Sequence, residues 1–262
     1  SYSTTSYLGL VFIAIALQKP GIALLLLFAH GLARALQFMG VGSIIATTNC
    51  QDLTELGGIG TRMPATALAL VVGSAGLTGL VPLGCYWCFA LLLDHLWPQA
   101  PGFAAVLLLT NLLSVANATR VFRSVFLGPA MPKTKRTPEV IWWMALPMVS
   151  LMVIVLLLPW IMQRIDPVPG IAAFPLPVGL VLAASGVVGL VIGALLPQDR
   201  FWSRSTQPLV RVVQDLLAYD FYTPEIYRLT IVRLVSSMAR FTRWFDITVL
   251  LLGTLPVLRG AG

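Results

Sequence analysis

The stretch that decides the fold class is GIALLLLFAHGLARALQFMGVGSIIA, residues 21–46, which is apolar over a length that matches a bilayer. A helix needs about 20 apolar residues to cross the hydrocarbon core, so this segment predicts a transmembrane helix. It nevertheless carries His30 and Arg34, which lie four residues apart and therefore share one helix face. Ionisable residues inside a membrane are costly and point to function by default, so both side chains are candidate site residues.

The composition of the whole chain agrees with a membrane protein. Of its 262 residues, 58% are hydrophobic and only 10% are charged, whereas soluble domains carry about 25% charged residues. So few charges cannot cover a water-facing surface, and we predict an all-α, polytopic transmembrane bundle. The candidate spans are Ser3–Gln18, Gly21–Ala46, Met63–Leu93, Gly102–Leu127, Val140–Met162 and Pro177–Leu196. Because the chain starts at Ser1 without a signal-peptide pattern, we expect it to be a piece of a longer protein.

The third candidate span is too long for one simple helix and is interrupted at the sequence GLVPLGC. Pro82 lies there between Gly79 and Gly84, where it removes a backbone donor and loosens the helix. Two short spans or one broken helix would both fit this pattern. Broken helices are tolerated inside membranes only where they face protein or a water-filled cavity, so 79–88 is a candidate functional segment.

The segments between the spans indicate the topology. Segments 128–139 and 197–211 are both rich in lysine and arginine, and two spans separate them. They therefore lie on one side, which the positive-inside rule makes cytoplasmic, while 163–176 lies on the other. Since this topology accounts for the net charge of +7, we expect no nucleic-acid partner. We predict a transmembrane bundle over 1–198, then a basic cytoplasmic segment, an amphipathic helix and a tail over 199–262.

Residues 224–245 differ from the spans, because apolar and basic residues fall on opposite sides of a helix drawn at about 100° per residue. The apolar arc consists of Tyr227, Ile231, Leu234, Val235, Met238, Phe241 and Phe245. The opposite side carries Arg228, Arg233, Arg240 and Arg243. Four arginines on one face disfavour spanning, so we predict a helix that lies flat at the membrane interface or along neighbouring subunits.

Further polar residues extend the pattern set by His30 and Arg34. Gln37 and Ser43 continue a polar strip on the same helix. The fourth span adds the polar groups of a predicted hydrated row, namely Asn111, Asn117, Thr119 and Arg120, with Arg123 at its cytoplasmic end. An alternative for Arg34 is a structural arginine that pairs with a carboxylate on another chain.

The cysteines give only a weak indication of metal or redox chemistry. Cys85 and Cys88 form a C-x-x-C, but Cys50 is alone, and no second C-x-x-C or histidine cluster completes a zinc or iron–sulfur set. We therefore favour a structural role for them and expect no metal site. Since the sequence also has no nucleotide-binding glycine loop and no quinone signature, we expect no cofactor on this chain.

Several motifs, in this order, resemble the antiporter-like membrane subunits of respiratory complex I, of its photosynthetic relative NDH-1 and of Mrp sodium/proton antiporters. The matching stretches are SYSTTSYLGLVF, HGLARALQFMGVGSII, DLTELGGIGTRMPATALALVVGSAGLTGLVPLG and ANATRVFRSVFLG. The later stretch FYTPEIYRLTIVRLVSSMARFTRWFD resembles the C-terminal tail of the largest such subunit, the subunit 5 or NdhF type. The resemblance implies the C-terminal portion of an antiporter-like fold, with a broken helix and a lateral helix along the membrane arm.

The resemblance also implies a proton route, with two departures from the family pattern. His30 matches the family's channel histidine, whereas Arg34 stands where the family usually has a lysine that gains and loses a proton. Arginine stays protonated in proteins, so it supplies a positive field but is a poor stop on a proton path. The family's lysine at the break falls on Phe89. The predicted proton-pathway residues are His30, Arg34, Gln37, Cys85, Cys88 and Arg120, next to a broken helix marked by Gly79, Pro82 and Gly84.

The implied function is that of an NDH-1 membrane subunit. Other subunits transfer electrons from NAD(P)H or ferredoxin to plastoquinone, and this subunit couples that transfer to proton movement. The departures at Arg34, Phe89 and LGCYWCF look most like cyanobacterial thylakoid variants devoted to CO2 uptake, which hold a CO2-hydrating partner. Quinone, iron–sulfur clusters and any zinc would then belong to partner subunits, and this chain would contact those subunits and membrane lipid. Two alternatives stay open, a structural scaffold for that partner and an Mrp-type cation/proton antiporter subunit.

Overall fold

The computed structural model describes residues 2–132, 134–135, 137–165, 176–195, 212 and 222–251. It divides into two units, Ser1–Gln198 and Asp199–Gly262, and each is considered by itself. All regular elements among the described residues are helices, so the predicted all-α fold class is confirmed. The basic segment 197–211 and the tail 252–262 lie outside the described residues.

Proline and asparagine set several helix ends in the first unit. Its helices, within the described residues, are α1 (Tyr2–Ala16), α2 (Pro20–Thr48), α3 (Pro64–Leu77), α4 (Gly84–Gln99), α5 (Pro101–Phe122), α6 (Trp142–Ile165) and α7 (Leu176–Leu195). A π-helical turn, Arg123–Leu127, continues α5, and a short 3-10 helix covers Leu53–Glu55. α2, α3 and α5 each begin at a proline, which suits the first helical position because an N–H there would lack a partner. α2 is closed by Asn49, whose left-handed backbone (φ 50°) lets its N–H donate to the Ile45 carbonyl at 2.8 Å.

The predicted integral-membrane character is confirmed by the length and composition of these helices. Four of them are long and apolar enough to cross a membrane, over Pro20–Thr48, Pro101–Leu127, Trp142–Arg164 and Leu176–Leu195. Large apolar side chains such as Phe12, Leu24 and Phe38 are exposed, as expected for a surface that faces lipid rather than water. The first predicted span ends early, at Ala16, because the backbone of Gln18 is left-handed (φ 58°).

The third predicted span is interrupted as the sequence indicates, and its halves are α3 and α4 with the non-helical residues 78–83 between them. The glycines at this break lie where neighbouring helices come close. A Cβ on Gly79 would lie 2.7 Å from Leu182 Cγ, and one on Gly84 would lie 2.6 Å from Leu158 Cδ2. The second half extends to Gln99, beyond the predicted end of the span at Leu93.

Two hydrogen bonds show that α3 and α4 together make one crossing of the membrane. In the loop before α3, the Ile59 N–H donates to the Val125 carbonyl and the Gly60 N–H to the Phe126 carbonyl, both at 3.2 Å. The start of α3 and the end of α5 therefore lie on the same side. If α3 and α4 crossed separately, α5 would end on the opposite side. With 14 and 16 residues, α3 and α4 measure about 21 and 24 Å, each short of the roughly 30 Å core.

Glycines allow close packing between α5 and α7. A Cβ on Gly189 would collide with the Leu112 carbonyl oxygen, and one on Gly193 with the Ala116 carbonyl oxygen. Small residues of this kind let helix backbones approach each other inside membranes, where dispersion contacts replace the hydrophobic effect as the main source of association. This packing holds α7 against the cavity-bearing part of the bundle.

Residues 223–251 of the second unit form a continuous helical run. It consists of α8 (Thr223–Tyr227), a π-helical turn (Arg228–Val232), α9 (Arg233–Phe245) and a second π-helical turn (Asp246–Leu251). The predicted helix over 224–245 is present but extends to Leu251. Side chains of the apolar arc, such as Leu234 and Phe241, are exposed, so the described part of this unit does not bury them itself.

Candidate functional site

A polar cavity of about 170 Å³ lies beside the helix break, between α1, α2, α3 and α5. Its polar lining consists of Ser3, Tyr7, Arg34, Gln37, Ser74, Thr78, Ser114 and Asn117. A water molecule takes about 30 Å³ of the liquid, so the cavity has room for several waters, and its side chains offer each of them more than one partner. The arrangement can therefore support a hydrogen-bonded chain of water inside the membrane.

Arg34 is the charged centre of the cavity, and it connects three helices. Its Nη1 donates to Gln37 Oε1 at 2.9 Å, and its Nη2 donates to Ser3 Oγ on α1. Gln37 Nε2 donates in turn to Ser74 Oγ on α3, at 3.0 Å. These partners are all neutral, and no carboxylate among the described residues pairs with the guanidinium. The positive charge of Arg34 therefore acts on whatever occupies the cavity.

His30 lies one turn before Arg34 but does not line the cavity. Its side chain is only 6% exposed, and its ring lies against the ring of Tyr7, with the centroids 4.5 Å apart. Both imidazole nitrogens are buried without a hydrogen-bond partner. Buried polar atoms without partners are uncommon in native structures, which marks the imidazole of His30 as a candidate functional group.

Side chains from α1 and α5 satisfy the backbone groups that the helix break leaves free. The Tyr7 hydroxyl donates to the carbonyl of Leu77, the last residue of α3, at 2.5 Å. The Gly79 N–H donates to Asn111 Oδ1 at 2.7 Å. Asn111 Nδ2 donates in turn to the Leu182 carbonyl at 3.2 Å and to Ser185 Oγ at 2.8 Å. Asn111, predicted as part of the hydrated row, is instead fully buried and holds the break in place.

Three of the predicted pathway residues lie away from the cavity. Cys85 and Cys88 are fully buried free thiols in the apolar core, and Cys88 Sγ donates to the Gly84 carbonyl at 3.3 Å. Arg120 lies in the last turn of α5 and does not line the cavity. Phe89, at the position of the family's lysine, is fully buried with its ring centroid 5.5 Å from that of Tyr7.

The structure thus brings Arg34 and Gln37 together in the cavity and leaves His30 next to it, behind Tyr7. Tyr7, Ser74 and Ser114 line the cavity and were not predicted. Each lies on a helix whose sequence is mainly apolar. A single hydroxyl in such a helix does not indicate a functional site unless the packing of the neighbouring helix is known. The sequence criterion that could have found them is a polar residue within a predicted span. Too many residues of the chain meet this criterion for it to identify these three.

A second cavity of about 280 Å³ adjoins the first and is almost entirely apolar. It lies between α3, α5 and α7, and it shares Ser74, Thr78, Ala118 and Phe122 with the polar cavity. Its wall includes Thr119, another member of the predicted row. Because it offers water few partners, it does not continue the polar cavity as a proton route.

Comparison with known proteins shows which family the chain resembles. The family model described as the transmembrane region of NADH:quinone oxidoreductase and Mrp antiporters matches residues 1–114, which include every polar residue of the cavity except Asn117. The chain is also 60% identical, over 95% of its length, to NAD(P)H-quinone oxidoreductase subunit 5, organellar chromatophore 2, of Paulinella chromatophora. The chain is therefore similar to members of the NADH:quinone oxidoreductase/Mrp antiporter family.

Other relatives of the chain carry the subunit 5 name as well. The chloroplastic NAD(P)H-quinone oxidoreductase subunit 5 of Citrus sinensis is 32% identical over 49% of this chain and 19% of its own length. NADH-ubiquinone oxidoreductase chain 5 of Sus scrofa is 35% identical over 50% of this chain and 22% of its own length. The chain spans 40% of the length of the Paulinella protein. The predicted resemblance to subunit 5 is confirmed.

Proposed function

We propose that this chain is part of the subunit 5 membrane component of an NDH-1 type NAD(P)H- or ferredoxin-dependent quinone oxidoreductase. In this role it couples electron transfer in other subunits to proton movement across the membrane. The observation that carries the proposal is the polar cavity at the helix break, with Arg34 bonded to Ser3 and Gln37 inside the membrane region. Broken helices that face a polar cavity are a recurring way to build ion pathways through membranes.

The chemistry of the cavity supports proton transfer with a fixed central charge. Waters in the cavity can pass protons along hydrogen bonds to the hydroxyls of Ser3, Ser74 and Ser114. Arg34 holds its charge throughout, so it lowers the affinity of the cavity for an excess proton and does not itself carry one. His30 is the group of the predicted route whose imidazole nitrogens can accept and release a proton. A charge change elsewhere in the complex would move a proton between the cavity and His30.

The partners follow from the same proposal. Quinone, iron–sulfur clusters and any zinc are bound by other subunits, which this chain contacts together with membrane lipid. The names of relatives from a chromatophore and from chloroplasts favour a photosynthetic membrane, and we propose a thylakoid location. A CO2-uptake form with a CO2-hydrating partner is the finer proposal, and it rests on the replacement of the family's lysine by Phe89.

A second candidate is a structural scaffold in which this half of the subunit conducts no protons. Phe89 favours it, since a fully buried phenyl ring stands where the resemblance implies an ionisable group. The permanent charge of Arg34 also favours it, because a residue that cannot release its proton cannot be a stop on the route. The two candidates make opposite predictions for the same variants.

The experiment changes His30→Ala and Arg34→Ala separately in the complete complex and follows proton uptake, CO2 uptake and CO2-dependent growth. Native gels report whether each variant assembles. His95→Ala is the matched control, because His95 is the other histidine of the chain and lines neither cavity. We expect assembled complexes that lose proton uptake in the His30 and Arg34 variants and keep it in the control. Normal proton uptake in both assembled variants would instead establish the scaffold.

A further inference from the structure

The proposed route has a gap between the cavity and His30, and one side chain fills it. Tyr7 lines the cavity and also contacts His30, whereas His30 itself does not line the cavity. The imidazole nitrogens are buried and have no partner, so nothing in the described arrangement delivers a proton to them directly. Tyr7 is thus the side chain of the cavity lining whose ring lies against His30.

The Tyr7 hydroxyl is the group in the gap that can both donate and accept a hydrogen bond. It donates to the Leu77 carbonyl at the end of α3, and it lies beside the hydroxyl of Ser114 on α5. Ser114 lines the cavity and so contacts its waters. The hydroxyl thus stands between the cavity, the helix break and the ring stack with His30.

We infer that the Tyr7 hydroxyl relays protons between the cavity and His30, with Ser114 as its partner on the cavity side. The inference rests on the proposed function and names a residue that the proposed route lacks. In the forward step, a cavity water that carries an excess proton gives it to the Tyr7 oxygen, either directly or through the Ser114 hydroxyl, which takes one proton from the water as it passes its own to Tyr7. The original proton then breaks its O–H bond to the Tyr7 oxygen, together with its hydrogen bond to the Leu77 carbonyl, and binds an imidazole nitrogen of His30, directly or through one water. The phenol is neutral before and after, His30 gains one proton, and the cavity loses one.

The surroundings of Tyr7 leave little room for another relay. Phe89 also packs against the ring, with its centroid 5.5 Å from that of Tyr7, and it offers no polar atom. Cys85 is close by but fully buried in the apolar core, where its thiol is a weak donor. The hydroxyl also connects the relay to the helix break, since each transfer releases and remakes the bond to Leu77.

The deciding variant is Tyr7→Phe in the complete complex, which removes the hydroxyl and keeps the ring against His30 and Phe89. We expect assembly to persist and the rate of proton translocation to fall at least about tenfold, in the range that positioned proton-transfer groups contribute. Tyr86→Phe is the matched control, since Tyr86 lies on α4 and lines neither cavity. Wild-type translocation in assembled Tyr7→Phe complexes would overturn the inference, whatever the result for His30.

A double variant separates a relay from a structural hydrogen bond. If Tyr7 and His30 serve the same step, Tyr7→Phe combined with His30→Ala loses no more translocation than the stronger single variant. If the hydroxyl only stabilises the break, the two losses multiply and the inference fails. Ser114→Ala provides a test that leaves the Tyr7–Leu77 bond intact and decides the matter if Tyr7→Phe does not assemble. We expect it to slow translocation by a smaller factor, and no effect would count against the relay.

Discussion

The hydroxyl of Tyr7 donates a 2.5 Å hydrogen bond to the carbonyl of Leu77, where the first half of the broken helix ends. Asn111 has the complementary role two residues further along the break, because its side-chain oxygen accepts the Gly79 N–H at 2.7 Å. A break inside a membrane exposes backbone groups that lipid cannot satisfy. Here two side chains from neighbouring helices satisfy them, and Tyr7 also lines the polar cavity.

Asn111→Leu should destabilise the bundle, because it keeps the approximate volume but leaves the buried Gly79 N–H without an acceptor. A buried donor without a partner costs about 1–3 kcal/mol. We expect a lower melting temperature of the detergent-solubilised complex and a reduced level of assembled complex. Asn117→Leu is the stability control, since Asn117 lies on the same helix, lines the cavity and makes no bond to the break. Equal melting temperatures for the two variants would contradict the role of Asn111.

Gly189→Ala should weaken the contact between α5 and α7. Its new Cβ would collide with the Leu112 carbonyl oxygen, and the helices would have to separate. Overpacking of this kind costs about 1–3 kcal/mol. Gly42→Ala is the matched control, because a Cβ on Gly42, in the middle of a helix, meets nothing within 4 Å. Thermal unfolding should show a loss for the first variant and no loss for the second; a similar loss in both would refute the packing argument.

The elements of the fold could be predicted because their signals are local. The apolar length of 21–46, the proline and glycines of 79–84 and the amphipathic period of 224–245 each lie within one stretch of sequence. Ends were less predictable. α4 runs past the apolar pattern because polar residues such as Asp94 and His95 continue the helix, and the final helical run continues beyond residue 245 to Leu251. That α3 and α4 cross once depends on hydrogen bonds between distant loops, which no local pattern contains.

The candidate site was predictable only where its residues share a helix face. Arg34 and Gln37 lie three residues apart and bond each other in the cavity. Ser74 and Ser114 line the same cavity from other helices. Which side chains they contact depends on how those helices are rotated relative to α2. The rotation of α4 likewise places Cys85 in the apolar core, although its C-x-x-C spacing with Cys88 is a pattern that also occurs in metal and redox sites.

Arg34→Lys should introduce a pH dependence that the native residue lacks. A lysine retains the charge near neutral pH but loses its proton more readily when it is partly desolvated, whereas arginine stays charged. The charge of the lysine is thus present at low pH and is lost as the pH rises. We expect proton translocation close to the native rate at neutral pH and a decline at alkaline pH that the native complex does not show. Parallel pH profiles for the two complexes would mean that the charge at this position does not act on the route. Arg34→Gln, which removes the charge at every pH, should be slow throughout.

Phe89→Lys tests whether the family's lysine can be restored at this position. The phenyl ring is fully buried against Tyr7 in the apolar core. Among the described residues, no carboxylate lies there that could pair with an ammonium group. A buried charge without a partner is strongly destabilising, by about 3–5 kcal/mol. We therefore expect little assembled complex for Phe89→Lys on native gels and normal amounts for Phe89→Leu, which keeps the site apolar. A lysine variant that assembles and raises proton translocation would instead show that the core at Phe89 can rearrange to admit water, and that the route continues past Tyr7 towards α4.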